Sequence, residues 1–217
     1  MSGLLFWDVD TQHDFMKADG ALYVPGAEAI IPVLGALRAH ATAHGIRVVA
    51  SADDHVPGHR ELSDTPDFTD TFPPHCMRGT PGQRRIPETA LVDPLVIEPE
   101  PQDPEALAAR LRAHRGDVLL HKHWFPVATN ANLRTVLDTL APDTIVVFGV
   151  ATDYCVRHAI EALRALRPQA RLCLVRDAVR AIHAEAEPAL LAGWEREGVV
   201  LVTAADVLAG RLPAAAA

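Results

Sequence analysis

The stretch Val146-Val147-Phe148-Gly149-Val150-Ala151-Thr152-Asp153-Tyr154-Cys155 runs directly into an amphipathic segment, Val156 to Leu166. An apolar run ending at a glycine reads as a buried strand, and the spacing that follows reads as a helix. A buried strand feeding a helix is the repeating unit of a parallel sheet. The cysteine falls in the first turn of that helix, where free N–H groups and partial positive charge gather. Such a setting favours the thiolate, the nucleophilic form. A free cysteine can also be a small core residue, so this segment alone leaves both readings open.

The same alternation extends outward in both directions. Leu4–Val9, Ile46–Ala50, Val118–Leu120, Ile145–Phe148, Leu172–Val175 and Val199–Val202 read as strands. Between and after them, Ala27–His44, Pro104–His114, Asn132–Leu140, Ala184–Glu197 and Ala204–Ala209 carry helical spacing. The expected fold is an α/β, three-layer Rossmann-like open parallel sheet of about six strands with helices on both faces. A single domain is expected over 1–212, with a frayed tail at 213–217. The Pro-, Asp-, Thr- and His-rich region of about 51–101 breaks the rhythm, and long irregular segments of this kind usually serve a site.

Composition narrows the function. The 217 residues are 49% hydrophobic and 22% charged, enough for a substantial core and against extensive disorder. A formal charge of −8 argues against nucleic acid or an acidic membrane as partner. No stretch approaches the ~18 apolar residues of a membrane span. The N-terminal segment meets Asp8 too early to read as a signal peptide. Cys76, Cys155 and Cys173 do not make a disulfide framework, so a reducing, cytoplasmic setting is expected.

Ligands of open parallel sheets bind beyond the carboxyl ends of the strands. The first strand runs into Asp8-Val9-Asp10-Thr11-Gln12-His13-Asp14-Phe15, where Asp8 and Asp10 share facing parity and either could act as a base or merely cap a turn. Leu119-Leu120-His121-Lys122-His123-Trp124 places a lysine just after a buried strand. Carboxylate, lysine and cysteine would then project into one crevice. A carboxylate can take a thiol proton, and an ammonium can hold carboxylate and thiolate charged. Asp53 and His55, two apart, point the same way in extended chain. With a returning His75 they could form an Asp/His site for a divalent transition metal. His59 is either a further ligand or a surface residue, and one of His75 and Cys76 is expected to stay idle.

Taken together, Asp10-x-Gln12-x-Asp14-Phe15, Asp53-x-His55, Pro73-Pro74-His75-Cys76-x-x-Gly79-Thr80, Lys122 and Gly149-x-Ala151-Thr152-Asp153-x-Cys155 resemble the isochorismatase-like cysteine hydrolase superfamily, nicotinamidase/pyrazinamidase branch. The resemblance implies a catalytic triad of Asp10, Lys122 and Cys155, choosing Asp10 over Asp8. It implies metal ligands Asp53, His55 and His75, with His59 a position that some nicotinamidases use and others do not. The activity implied is hydrolysis of nicotinamide to nicotinate and ammonia through a thioester. An oxyanion hole of the Ala151 and Cys155 N–H groups is implied, with a cis Val150–Ala151 peptide. The metal, Zn2+ foremost and Fe2+ or Mn2+ otherwise, would orient the substrate ring against Phe15 and Phe72.

The sequence also departs from that pattern. Tyr154 precedes the nucleophile where histidine is frequent, which makes it a candidate substrate contact, and the insert Glu61–Phe68 has no counterpart in the pattern. These departures surround the pocket and bear on substrate identity. The competing expectation is therefore a sister cysteine hydrolase acting on another small amide, carbamoyl or ureido compound. A homo-oligomer is expected.

Overall fold

The structure, a computed structural model, describes residues 3–212, and the tail expected at 213–217 lies outside them. Seven strands form one sheet: β1 (Leu4–Val9), β2 (Arg47–Asp53), β3 (Leu95–Ile97), β4 (Val118–Lys122), β5 (Thr144–Val150), β6 (Arg171–Arg180) and β7 (Val200–Val202). Their spatial order is β3-β4-β2-β1-β5-β6-β7, and every pairing is parallel. The central strands β2, β1 and β5 are almost wholly buried, as their continuous apolar sequences require when helices cover both faces. Seven helices surround the sheet: α1 (His13–Met16), α2 (Ile31–His44), α3 (Pro104–Ala113), α4 (Leu133–Leu140), α5 (Arg157–Leu166), α6 (Glu187–Arg196) and α7 (Ala204–Leu208).

Alternate strand residues divide between two cores. Leu5, Trp7, Val9, Val49 and Val147 pack with Leu107 and Leu111 of α3, Val136 and Leu137 of α4, and Ile160 and Leu163 of α5. On the opposite face Phe6, Val48, Val146 and Phe148 meet Leu34 and Leu37 of α2 and Val207 of α7. Each such buried aliphatic or aromatic side chain contributes about 1.5–3 kcal/mol relative to exposure, and the division sets the register of each strand.

Three expectations change in detail. The seventh strand, β3, lies inside the region expected to be irregular; its three residues stand among prolines and are too short for periodicity to show. Ala27–His44 begins with a 3-10 turn, Ala27–Ile30, and α2 proper starts at Ile31, beside Pro32. Gly149 does not end its strand. It lies within β5 at φ 120, and a Cβ there would fall 2.1 Å from the Val9 carbonyl oxygen. Only glycine lets β5 stay against β1 while its pairing with β6 slips register between Val147 and Gly149. Among the described residues no helix is long and apolar enough to cross a membrane.

Candidate active site

Because all strands run the same way, β1, β2, β4 and β5 deliver their carboxyl ends to one edge of the sheet. Asp10 follows β1 with φ 47, a left-handed conformation uncommon outside glycine. Its N–H donates to the Ser51 carbonyl at 3.3 Å, and the Ser51 hydroxyl donates to its Oδ1 at 2.6 Å. Lys122 ends β4 directly opposite Asp53, which ends β2. The Lys122 ammonium donates to Asp53, lies 3.0 Å from Asp10 Oδ2 and sits 3.6 Å from Cys155 Sγ. Asp10, Asp53 and Lys122 are buried to within 1% of full exclusion. Cys155 arrives on a wide π turn, Thr152–Val156, after β5, so α5 begins two residues beyond the thiol.

Asp8, which facing parity alone left open and the resemblance passed over, belongs elsewhere. Its carboxylate takes the Arg85 guanidinium and the Thr11 hydroxyl, tying β1 to the long loop. That pairing occupies Asp8 structurally and leaves Asp10 facing the thiol.

The charges form one coupled group. Burial pulls the Lys122 ammonium down, but the Asp10 and Asp53 carboxylates outweigh it and hold the lysine well above its ordinary value. Burial lifts Asp10 above the ordinary carboxylate range against the pull of Lys122, with Asp53 adding to the rise. The thiol behaves differently from the helix-terminus expectation. Burial pushes Cys155 well above its ordinary value; Lys122 opposes this, while Asp10 and Asp53 reinforce it. At rest Cys155 is therefore a neutral thiol, because exclusion of water and two adjacent carboxylates outweigh one ammonium and a helix end. Its Sγ lies within 4.8 Å of carboxylate oxygens of both Asp10 and Asp53, in reach of a base.

Beside this group stands a second. One ligating atom each from Asp53, His55, Glu61 and His75 lies within 4.8 Å of all the others, and all four residues are buried. Asp53 Oδ2, His55 Nε2, Glu61 Oε2 and His75 Nε2 have no hydrogen-bond partner among the described residues. His75 Nε2 is 3.3 Å from Glu61 and 3.7 Å from Asp53, and His55 Nε2 is 3.9 Å from each. Burial lowers the His75 imidazole, yet the two facing carboxylates lift it to about 10, so a proton supplies the positive charge they demand. Burial lowers His55 to about 3 against the pull of Asp53, with His75 and Lys122 adding to the fall, and it is neutral. Four converging, unpartnered N and O donors with a net appetite for cation fit a divalent transition metal. His75 Nδ1 is 2.7 Å from the Pro73 carbonyl, which turns Nε2 inward.

Asp53, His55 and His75 thus meet as expected, and the fourth member is Glu61 rather than His59. His59 stacks on His123 with ring centres 4.2 Å apart and brings Nδ1 to 3.3 Å from His55 Nδ1. Its Nδ1 also accepts from the Val56 N–H at 3.4 Å. This suits a His55 that donates through Nδ1 and keeps Nε2 free. Glu61 is absent from the expected ligands because it opens the insert that matched no pattern; Asp64, Asp67 and Asp70 also lie between His59 and His75, and nothing local singles Glu61 out among these acids. Gln12 was also passed over: its amide accepts from Asp53 N–H at 2.7 Å and donates to the Asp53 carbonyl at 2.8 Å, clamping the ligand's backbone. Cys76 is fully buried, with its N–H on the Asp14 carboxylate, and stays out of both groups.

Between the thiol and the Asp53/Glu61 carboxylates lies a pocket of about 350 Å³. Its walls are Phe15, Leu22, Val24, Phe72, Phe125, Val150, Ala151, Tyr154 and Ile182. Phe15, Phe72 and Tyr154 therefore line it as expected, and Phe125 and the aliphatic residues complete its wall. The Val150–Ala151 peptide is cis, as the resemblance implied.

Residues 96–206 match the isochorismatase domain family. The chain belongs to that family. It is 30% identical over 155 residues to the nicotinamidase/pyrazinamidase of Mycobacterium tuberculosis, covering 70% of this chain and 74% of that protein. The nicotinamidase of Escherichia coli is 29% identical over 217 residues, covering 91% of this chain and 93% of its own. The crystal structure of the Pyrococcus horikoshii pyrazinamidase in complex with zinc superposes with a TM-score of 0.69 at 26% identity, over 93% of this chain and 99% of that one.

Proposed function

We propose that this chain hydrolyses nicotinamide to nicotinate and ammonia. The observation that carries the reading is one small apolar pocket bounded on one side by Cys155 and on another by the buried, unpartnered Asp53–His55–Glu61–His75 group. A flat ring with a carboxamide and a ring nitrogen meets both at once. The relatives' activities support the reading.

In the mechanism that fits these positions, Asp10 accepts the Cys155 proton as sulfur attacks the carboxamide carbon and a C–S bond forms. Because the resting thiol is neutral, proton transfer and attack belong to one event. The oxyanion rests on the N–H groups of Ala151 and Cys155, donors of a kind worth a few kcal/mol each. Lys122 steadies the developing thiolate and keeps Asp10 a competent base. Asp10 returns the proton to nitrogen as the C–N bond breaks and ammonia leaves. Water then attacks the thioester, giving its proton to Asp10; nicotinate departs and the thiol is restored.

Asp53, His55, Glu61 and His75 would hold a divalent transition metal, with Zn2+ the first choice and Fe2+ or Mn2+ alternatives. When bound, it supplies a Lewis-acid pole for the pyridine nitrogen and so orients the ring. Free Cys76, Cys155 and Cys173 support a reducing, cytoplasmic setting, and the reaction suits pyridine nucleotide salvage.

The test is ammonia release from nicotinamide by purified, metal-replete protein. Rapid release supports the whole reading. Absence of release, with metal content verified, transfers it to another small amide, carbamoyl or ureido compound on the same triad.

A further inference from the structure

Two cavities share part of their lining. The catalytic pocket is the smaller, at about 350 Å³, and an outer groove of about 1350 Å³ runs past Trp124, Arg157, His158 and His183. Phe125 and Tyr154 line both. The Tyr154 ring is held edge-on to Phe125 at 5.9 Å and to Phe72 at 5.4 Å. Its hydroxyl donates to the Phe68 carbonyl at 3.0 Å, on the loop that begins with Glu61. Nothing else common to both linings separates the two spaces.

We propose that the Tyr154–Phe125 ring pair is the size-determining partition of this site: it confines the acyl part of the substrate to a single ring, and removing either ring joins the pocket to the groove. The substrate class this predicts is a one-ring carboxamide for the native chain and a two-ring carboxamide for the opened one. The inference rests on the amidase reading only for the word carboxamide; the partition itself concerns access to Cys155. The interlocked edge-to-face rings make it stiff, because each blocks the rotation of its neighbour. The hydroxyl bond positions the loop and is a separate matter from the ring's bulk.

The experiment compares alkylation of Cys155 by iodoacetamide and by the bulkier N-phenylmaleimide, followed by peptide mass mapping that separates it from Cys76 and Cys173. Measured on wild type, Tyr154→Ala, Phe125→Ala and Tyr154→Phe, each with its thermal melt, the readout is the ratio of the two rates. Both alanine variants are expected to shift that ratio toward the bulky reagent by about tenfold or more, the scale of a pocket's steric discrimination. Tyr154→Phe, which keeps the ring, is expected to match wild type. In parallel, Tyr154→Ala should gain quinoline-3-carboxamide hydrolysis relative to nicotinamide. An unchanged ratio in both folded alanine variants overturns the inference, as does a full shift in Tyr154→Phe, which would assign the barrier to the loop. A shifted ratio in a protein that never releases ammonia from nicotinamide leaves the partition standing and removes the proposed function instead.

Discussion

Replacing Glu61 by glutamine should weaken metal binding by about three orders of magnitude, and the structure supplies the reason. Glutamine retains an oxygen that can ligate but removes one of the two carboxylate charges facing His55 and His75. Two unit charges about 4 Å apart at an effective dielectric near 20 interact by ~4 kcal/mol, and ~1.4 kcal/mol is a factor of ten. Glu61 is 2% exposed, so water screens this term little. The assay is competition for Zn2+ against a chromophoric chelator at fixed pH and salt. Glu61→Ala, which also deletes the ligating oxygen, should be weaker still. His59→Gln should lose only about 10–100-fold, the scale for a residue that orients a ligand. The same substitutions carry an independent signature in the metal-free protein: with Glu61 neutral, the His75 imidazole loses one of the carboxylates that raise it and should titrate below its value of about 10 by NMR. If Glu61→Gln binds zinc within threefold of wild type while His59→Gln does not, His59 is the fourth ligand and the reasoning from burial fails.

Other consequences concern chemistry and folding. Cys155→Ala should leave less than about 1% of turnover with an unchanged melt, since only a sulfur is lost; Asp10→Asn should be nearly as damaging, and a normal rate in either would reassign that role. The acid limb of kcat/KM, recorded at saturating metal, should reflect Asp10: its folded value is raised, it must be ionised to accept the thiol proton, and activity is therefore lost as pH falls through a point above the ordinary 3.8. A limb at or below that value in protein that remains folded would exclude Asp10 as the base. Gly149→Ala should cost ~3 kcal/mol or more in urea unfolding, because its Cβ would collide with the Val9 carbonyl oxygen and its φ of 120 suits no other residue. A loss below ~1 kcal/mol would mean that β5 can shift away from β1 more easily than its pairing suggests.

Local pattern determined much of this protein. The apolar runs at Leu4–Val9, Ile46–Ala50 and Ile145–Phe148 and the helical spacing between them compel a parallel sheet, because each must bury its apolar side against another. A parallel sheet, in turn, delivers residues just beyond its strands to one edge, so Asp10 could be gathered with Lys122 and Cys155, each more than 100 residues further along the sequence. Tertiary structure decided what pattern could not carry. Asp8 and Asp10 share a parity and a chemistry; the resemblance names Asp10, and the Arg85 contact of Asp8 and the positive φ of Asp10 supply the physical reason. Glu61 and His59 are two residues apart in a segment without period, and only the path of that loop sends the carboxylate inward and turns the imidazole toward His123. Cys155 shows the same division most sharply. A helix terminus is a local feature and argues for thiolate, but the protonation state depends on burial and on charges brought in from β1, β2 and β4. Electrostatic energy depends on distance through space and exclusion of water, quantities that a chain acquires only when it folds.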